Sequence, residues 1–317
     1  IPMALPPSVR RMLNAMGYRP VARRVLPLLT AVHRKAREEW AANVMGRVPP
    51  WDQADDDIWV YIDEKWFEGQ RLRKRCLTGP GVPHPAIAVG SRAHVPKVMF
   101  LGAVARPKPD RGFSGAIGLY PVTEVKTVKR RQRHFNVGDK KHYLVNMNAD
   151  LFKSMVKNHV CTDILRQTGE WVRRIVIQMD SAGGHGGGKA DINTTTIREL
   201  EQWANSWPAE LDQLLPESRR TQANRPTWIF VAQPARSPDL NMLDLGAWCS
   251  INSMVPEIRT ALGHGAPIEQ MITNVQRAWT TWNSIDKLEQ LHDTLQHIYP
   301  LIHASHGGNF YKMPHFH

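Results

Sequence analysis

Two short runs of β-branched and aromatic residues each stop on an aspartate. Residues 58–62 run into Asp63, and residues 174–179 run into Asp180. The end of a buried strand is a costly place for an unpaired carboxylate, so this pattern constrains the fold more than any other feature. Strands that deliver acids at their C-terminal ends, with helical stretches between and after them, describe an α/β plan with ligands gathered at one edge of a sheet. A further apolar run, residues 228–232, leads into Ser237-Pro238-Asp239-Leu240-Asn241-Met242-Leu243-Asp244. Either Asp239 or Asp244 is placed to join the first two acids, and Asp239 is equally placed to cap the helix that follows. Three converging carboxylates repel one another unless cations neutralise them. Hard divalent ions such as Mg²⁺ or Mn²⁺ bind such oxygens. Two of them, about 3.5–4 Å apart, activate a water or a 3′-hydroxyl and stabilise the leaving oxygen of an in-line attack on phosphate.

The charge balance points to the same substrate. Lys and Arg number 41 against 29 Asp and Glu, a net +12 with an isoelectric point near 9.8, and such an excess favours a polyanion, nucleic acid first. The first 47 residues hold nine cations against two anions, so much of the surplus lies there. Cys76, Cys161 and Cys249 are odd in number and far apart, which excludes a disulfide framework or a zinc finger. That usage fits the cytosol or nucleus, and with DNA as partner the nucleus is expected. No apolar stretch is long enough to span a membrane. Position 1 is Ile rather than Met, which suggests a piece of a longer chain.

Residues 1–47 read as helical. Ser8 is placed to cap a helix ended by Gly17, and Thr30 a second over 31–45. Pro49-Pro50 and the acidic run 52–57 read as a linker into a main domain over 48–317. Within it, 97–105 reads as a buried strand and 116–122 as another. Residues 126–141 are basic and poor in apolar groups, and Asn148 starts a helix closed by Gly169. A glycine-rich loop spans 183–188, a helix 194–206, and 207–226 reads as an irregular surface insertion. From Leu243 on the chain reads as helices.

The acidic blocks carry a resemblance. Residues 60–67 (VYIDEKWF), Asp180-Ser181-Ala182 with His185, and Ser237-Pro238-Asp239-Leu240-Asn241 with Asp244 resemble the three signature blocks of mariner-like transposases. Residues 96–107, Leu243-Asp244-Leu245-Gly246 and the terminal 307–315 (GGNFYKMPH) resemble the branch typified by plant elements. The resemblance implies an RNase H-like mixed sheet flanked by helices, preceded by a short helical segment. It implies an Asp-Asp-Asp site on Asp63, Asp180 and Asp244, using two Mg²⁺ or Mn²⁺ ions. It further implies a dimer that nicks and excises terminal inverted repeats of an element and joins them to target DNA. Residues 8–18 resemble the tail of a helix-turn-helix module and 27–40 a linker helix, so most sequence-specific end recognition is expected outside this chain. Two departures stand out: Ser181 replaces the usual Asn, and the 63 residues between Asp180 and Asp244 exceed the family's usual interval, implying an insertion around 186–226. Other outcomes are an inactive DNA-binding descendant or a nuclease that never joins strands.

Further candidates for DNA contact are Arg10, Arg11, Arg23 and Arg24 in the N-terminal segment, and Lys126, Lys129, Arg130, Arg131 and Arg133 in the basic stretch. A solvated face is the plain alternative for that stretch. His185 is placed to meet a phosphate or the metals, or to be a simple loop histidine. Trp66 and Trp248, each beside an acidic block, are read as core packing rather than base stacking.

Overall fold

The computed structural model describes residues 11–12, 15–17, 26–46, 56–69, 97–132, 134–180, 190–256 and 268–314. The first long element is α1 (Ala31–Met45), capped by Thr30, whose side chain accepts from the His33 N–H at 3.3 Å. Five strands follow: β1 (Asp57–Glu68), β2 (Lys97–Ala105), β3 (Ala116–Pro121), β4 (Thr123–Thr127) and β5 (Lys140–Leu144). Then α2 (Ala149–Met155) passes through a π-helical segment, Val156–Cys161, into α3 (Thr162–Thr168), and β6 (Arg174–Met179) leads to α4 (Ala190–Asn205). After the short α5 (Ala209–Asp212) come β7 (Thr227–Ala232), α6 (Trp248–Met254), α7 (Ile268–Trp282) and α8 (Ile285–Ala304).

The main sheet has the order β3-β2-β1-β6-β7. β1, β2 and β3 are antiparallel neighbours, while β6 and β7 add parallel to β1. Alternation along β1 sorts the core into two layers. Ile58, Val60 and Ile62 pack with Phe152, Val156 and Ile164 on one face. Trp59, Tyr61 and Phe67 pack with Trp248, Val275 and Leu295 on the other. Strands buried on both faces need continuous apolar sequence, and β2 (KVMFLGAVA) has it.

Three sequence expectations are corrected. The first acidic strand does not stop at Asp63: β1 runs on to Glu68, because β2 keeps pairing as far as Glu68 opposite Lys97. The acidic run 52–57 is not all linker, since Asp57 begins β1, is buried, and pairs with Arg174. The basic stretch is, as read, poor in apolar groups, and its two ends pair in the β4–β5 ladder. Residues 207–226 are mostly irregular, yet they are not all surface: Trp207, Leu211 and Leu215 are buried in the layer of Phe152 and Ile164. Among the described residues, no helix is long and apolar enough to cross a membrane.

Candidate active site

Asp63 and Asp180 come level at the end of a parallel pairing. Tyr61 on β1 lies opposite Gln178 on β6, and each strand goes on two residues to its aspartate. Trp59 Nε1 donates to Gln178 Oε1 at 3.0 Å, so these alternate positions share one face. Asp63 and Asp180 keep that alternation, and the face is the one covered by α6, α7 and α8.

Asp244 reaches the same edge on a π-helical turn, Leu243–Ala247, that runs into α6. π-turns of this kind often occur at functional sites. The segment before it is tied to the sheet by buried amides. Gln178 Nε2 donates to the Leu240 carbonyl at 2.7 Å and to Gln233 Oε1 at 3.0 Å. Asn241 Nδ2 donates to the Ile62 carbonyl at 3.1 Å, while its Oδ1 accepts from the Leu243 N–H at 3.0 Å. The third acidic block is thus hydrogen-bonded to the backbone of the residue preceding Asp63.

Trp248 completes the constellation. Its Nε1 donates to Asp63 Oδ2 at 2.6 Å. The ring lies over Gly102, the residue opposite Asp63 in the β1–β2 register, and a Cβ there would come 2.5 Å from the Trp248 ring. Glycine is needed at 102 so that the indole reaches across the sheet.

The charges of the three acids act on one another. Burial, then the charge of Asp244, pushes the Asp63 carboxyl up to about 8, with Asp180 adding to the rise and the Trp248 N–H opposing it. Asp244 is exposed at the rim, so its desolvation is one-sided. That desolvation raises its carboxyl to about 6, with Asp180 adding to the rise and Lys65 pulling the other way. This is the signature of an oxygen-rich cluster short of positive charge, which fits hard divalent cations. Among the described residues, one group of three metal-type ligand atoms lies within 4.8 Å, namely Glu289, His292 and Asp293 on α8. Asp63, Asp180 and Asp244 do not form a group that tight. Glu289 also pairs with Arg106 at 3.4 Å, and Gln296 lies 3.1 Å from His292 Nε2.

Asp239, the other candidate for third acid, points elsewhere. Arg37 on α1, fully buried, grips it with two nitrogens at 2.7 Å each, and the Tyr311 hydroxyl donates to it as well. Arg37 Nε donates to the Gly307 carbonyl at 2.9 Å. Gly307 has φ +74° and lies against the Arg34 carbonyl, a close backbone approach that only glycine permits. Asp239 therefore locks α1 and the C-terminal tail to the segment that carries Asp244.

The remaining candidates are dispersed. Lys126, Lys129, Arg130 and Arg131 are exposed on or beside β4. Lys126 pairs with Glu124 at 2.8 Å, and Lys141 lies 5.0 Å over Phe135 and 5.2 Å over Tyr143. Arg11 is exposed, whereas Arg10, Arg23, Arg24, Arg133, Ser181, the glycine-rich loop and His185 lie outside the described residues. Trp248 is buried, as expected of core packing. Trp66 is not: it is 38% exposed, with Lys97 Nζ 4.8 Å over its ring, in the part of β1 that pairs with β2 but has run past its pairing with β6. Sequence reasoning misses Gln178, Asn241 and Lys65 as site residues. Only Lys65 carries a usable signal, standing two residues after Asp63 and so on the same face.

Comparison with solved structures gives the fold. The Mos1 mariner paired end complex, solved with Mn and with Mg, aligns at TM-score 0.62 with 18% and 19% identity, over 96% of this chain and 71% of that one. The Mos1 strand transfer complex aligns at TM-score 0.62 and 18% identity, over 96% of this chain and 70% of that one. The catalytic domain of Mos1 mariner transposase aligns at TM-score 0.53 and 15% identity, over 90% of this chain and all (100%) of that one. The fold is RNase H-like. No family model matches the chain, and no curated protein matches it.

Proposed function

We propose that this chain is a DNA transposase of the mariner kind, acting on duplex DNA at element ends and joining them to target DNA. The reading rests on one observation above the others: at one edge of an RNase H-like sheet, the charges of Asp244 and Asp180, remote in sequence, raise the Asp63 carboxyl, and that of Asp180 raises the Asp244 carboxyl. Asp63, Asp180 and Asp244 would hold Mg²⁺ or Mn²⁺, whose chemistry is to lower the pKa of an attacking oxygen and to stabilise the charge of a leaving one. Two such ions about 3.5–4 Å apart would serve the attacking and the leaving oxygen of an in-line displacement. The chain's own part is to fix those oxygens. Gln178 and Asn241 hold the Asp244 segment against β1 and β6, and Trp248 orients one oxygen of Asp63. Lys65 puts a cation beside Asp244 where a phosphate would approach. The exposed cations at 126, 129, 130 and 131 suit backbone phosphates, and a dimer is the assembly in which two element ends would be held.

The test is nicking of supercoiled plasmid by the chain with Mg²⁺ or Mn²⁺, followed by joining of a pre-cleaved end bearing a 3′-hydroxyl. Asp63→Ala, Asp180→Ala and Asp244→Ala each abolish both activities with the fold intact. Cleavage without joining makes the chain a nuclease; salt-sensitive binding with no turnover makes it a DNA-binding protein without catalysis.

A further inference from the structure

At the opposite end of the sheet lies a polar cavity of about 630 Å³. Its walls carry Arg111, Arg173, Arg219 and Arg225, with Trp171 and Asp56 between them. Asp56 precedes β1, Arg173 precedes β6 and Thr227 begins β7, so the cavity sits where the parallel strands start. The rise of β1 from Asp56 to Asp63 puts it about 20 Å from the aspartates.

Glu170 lines the cavity as well, so four arginines meet two carboxylates there and positive charge remains in excess. Arg111 and Arg173 share a single carboxylate, Asp56, at 3.3 Å each, and the Arg173 side chain is 80% exposed. Arg225 pairs with Asp212 at 2.6 Å. Arg219 has no carboxylate partner among the described residues. Backbone carbonyls hold it instead: Nε donates to Asn224 at 3.0 Å, Nη1 to Glu170 at 2.9 Å, and Nη2 to Val172. Those bonds orient the guanidinium without neutralising it, and they leave N–H donors over. Lys108 Nζ lies 5.8 Å and Arg111 Cζ 6.0 Å over the Trp171 ring, adding another cation at the wall.

We infer that this cavity binds phosphate groups of a DNA backbone, at a site separate from the aspartate edge. Planar guanidiniums held in place match phosphate oxygens in geometry as well as charge. The volume far exceeds one phosphate and admits a stretch of sugar–phosphate chain. The cations come from separate elements, which suits a ligand that runs across the cavity better than a single small anion. A duplex docked at the aspartates reaches this end only by wrapping the domain or as a second segment, so the site adds phosphate contacts to those at the catalytic edge.

Arginine footprinting of the unaltered chain tests this without a folding risk. Phenylglyoxal modification of Arg173, read by peptide mass spectrometry, is slowed several-fold by a 30-base-pair duplex and not by inorganic phosphate at the same phosphate concentration. Equal protection by inorganic phosphate, or no protection by DNA, overturns the proposal. In a second arm, Arg111→Gln with Arg173→Gln lowers the slope of log affinity against log salt by about 1–2, at roughly 0.9 for each phosphate no longer neutralised. An unchanged slope overturns it equally.

Discussion

Trp248 and Asp63 show how one hydrogen bond and one charge tune the candidate site. The indole N–H favours the ionised carboxylate, against burial and the charge of Asp244. Trp248→Phe keeps most of the ring volume and deletes the donor, so the Asp63 carboxyl rises further. Mn²⁺ binding, followed across pH, then shifts its midpoint upward relative to the unaltered chain; an unmoved midpoint contradicts this role for the indole. Stability follows the same carboxyl. Folded Asp63 titrates at about 8, against a usual 3.8, so over that window the fold keeps a proton that the unfolded chain has lost. The sign is therefore that the metal-free fold loses stability as pH rises through the window. Thermal melts near pH 5 and pH 8 test it: the fall toward pH 8 is smaller in Asp63→Asn, and Mg²⁺ stabilises most at pH 8 because binding displaces the proton. Equal falls in the two proteins contradict the assignment.

The elements carry the aspartates through contacts of very different legibility. Continuous apolar runs announce β2, β6 and β7, and the caps Thr30 and Asn148 fix two helix starts, because periodicity and capping are local chemistry. The extension of β1 past Asp63 depends on pairing with β2, which no local pattern encodes. β4 and β5 are hidden because neither has a buried face, so no apolar alternation marks them. Asp239 and Asp244 are indistinguishable by spacing, and what separates them is a long-range partner, the buried guanidinium of Arg37. Two substitutions probe these supports. Gly102→Ala drives a methyl into the Trp248 ring, an overpacking worth about 1–3 kcal/mol, visible in chemical denaturation together with weakened metal binding. Arg37→Met leaves the Asp239 carboxylate without its cation and costs about 3–5 kcal/mol, whereas wild-type stability in that variant contradicts a locking role.

As a whole, the molecule is a basic chain of net charge +12 built on a mixed sheet with chemistry assigned to one end and an arginine-lined cavity at the other. Its parallel strands carry Asp63 and Asp180 to one edge, and a π-helical turn before α6 carries Asp244. The account's central claim is that these three acids share divalent cations. Titration with Mn²⁺, monitored by electron paramagnetic resonance, tests it most directly, because the group on α8 offers a competing place for the ion. The account predicts that Asp63→Asn, Asp180→Asn and Asp244→Asn each weaken binding at least ten-fold while Glu289→Gln leaves it unchanged. Binding that survives all three aspartate variants and is lost in Glu289→Gln contradicts it.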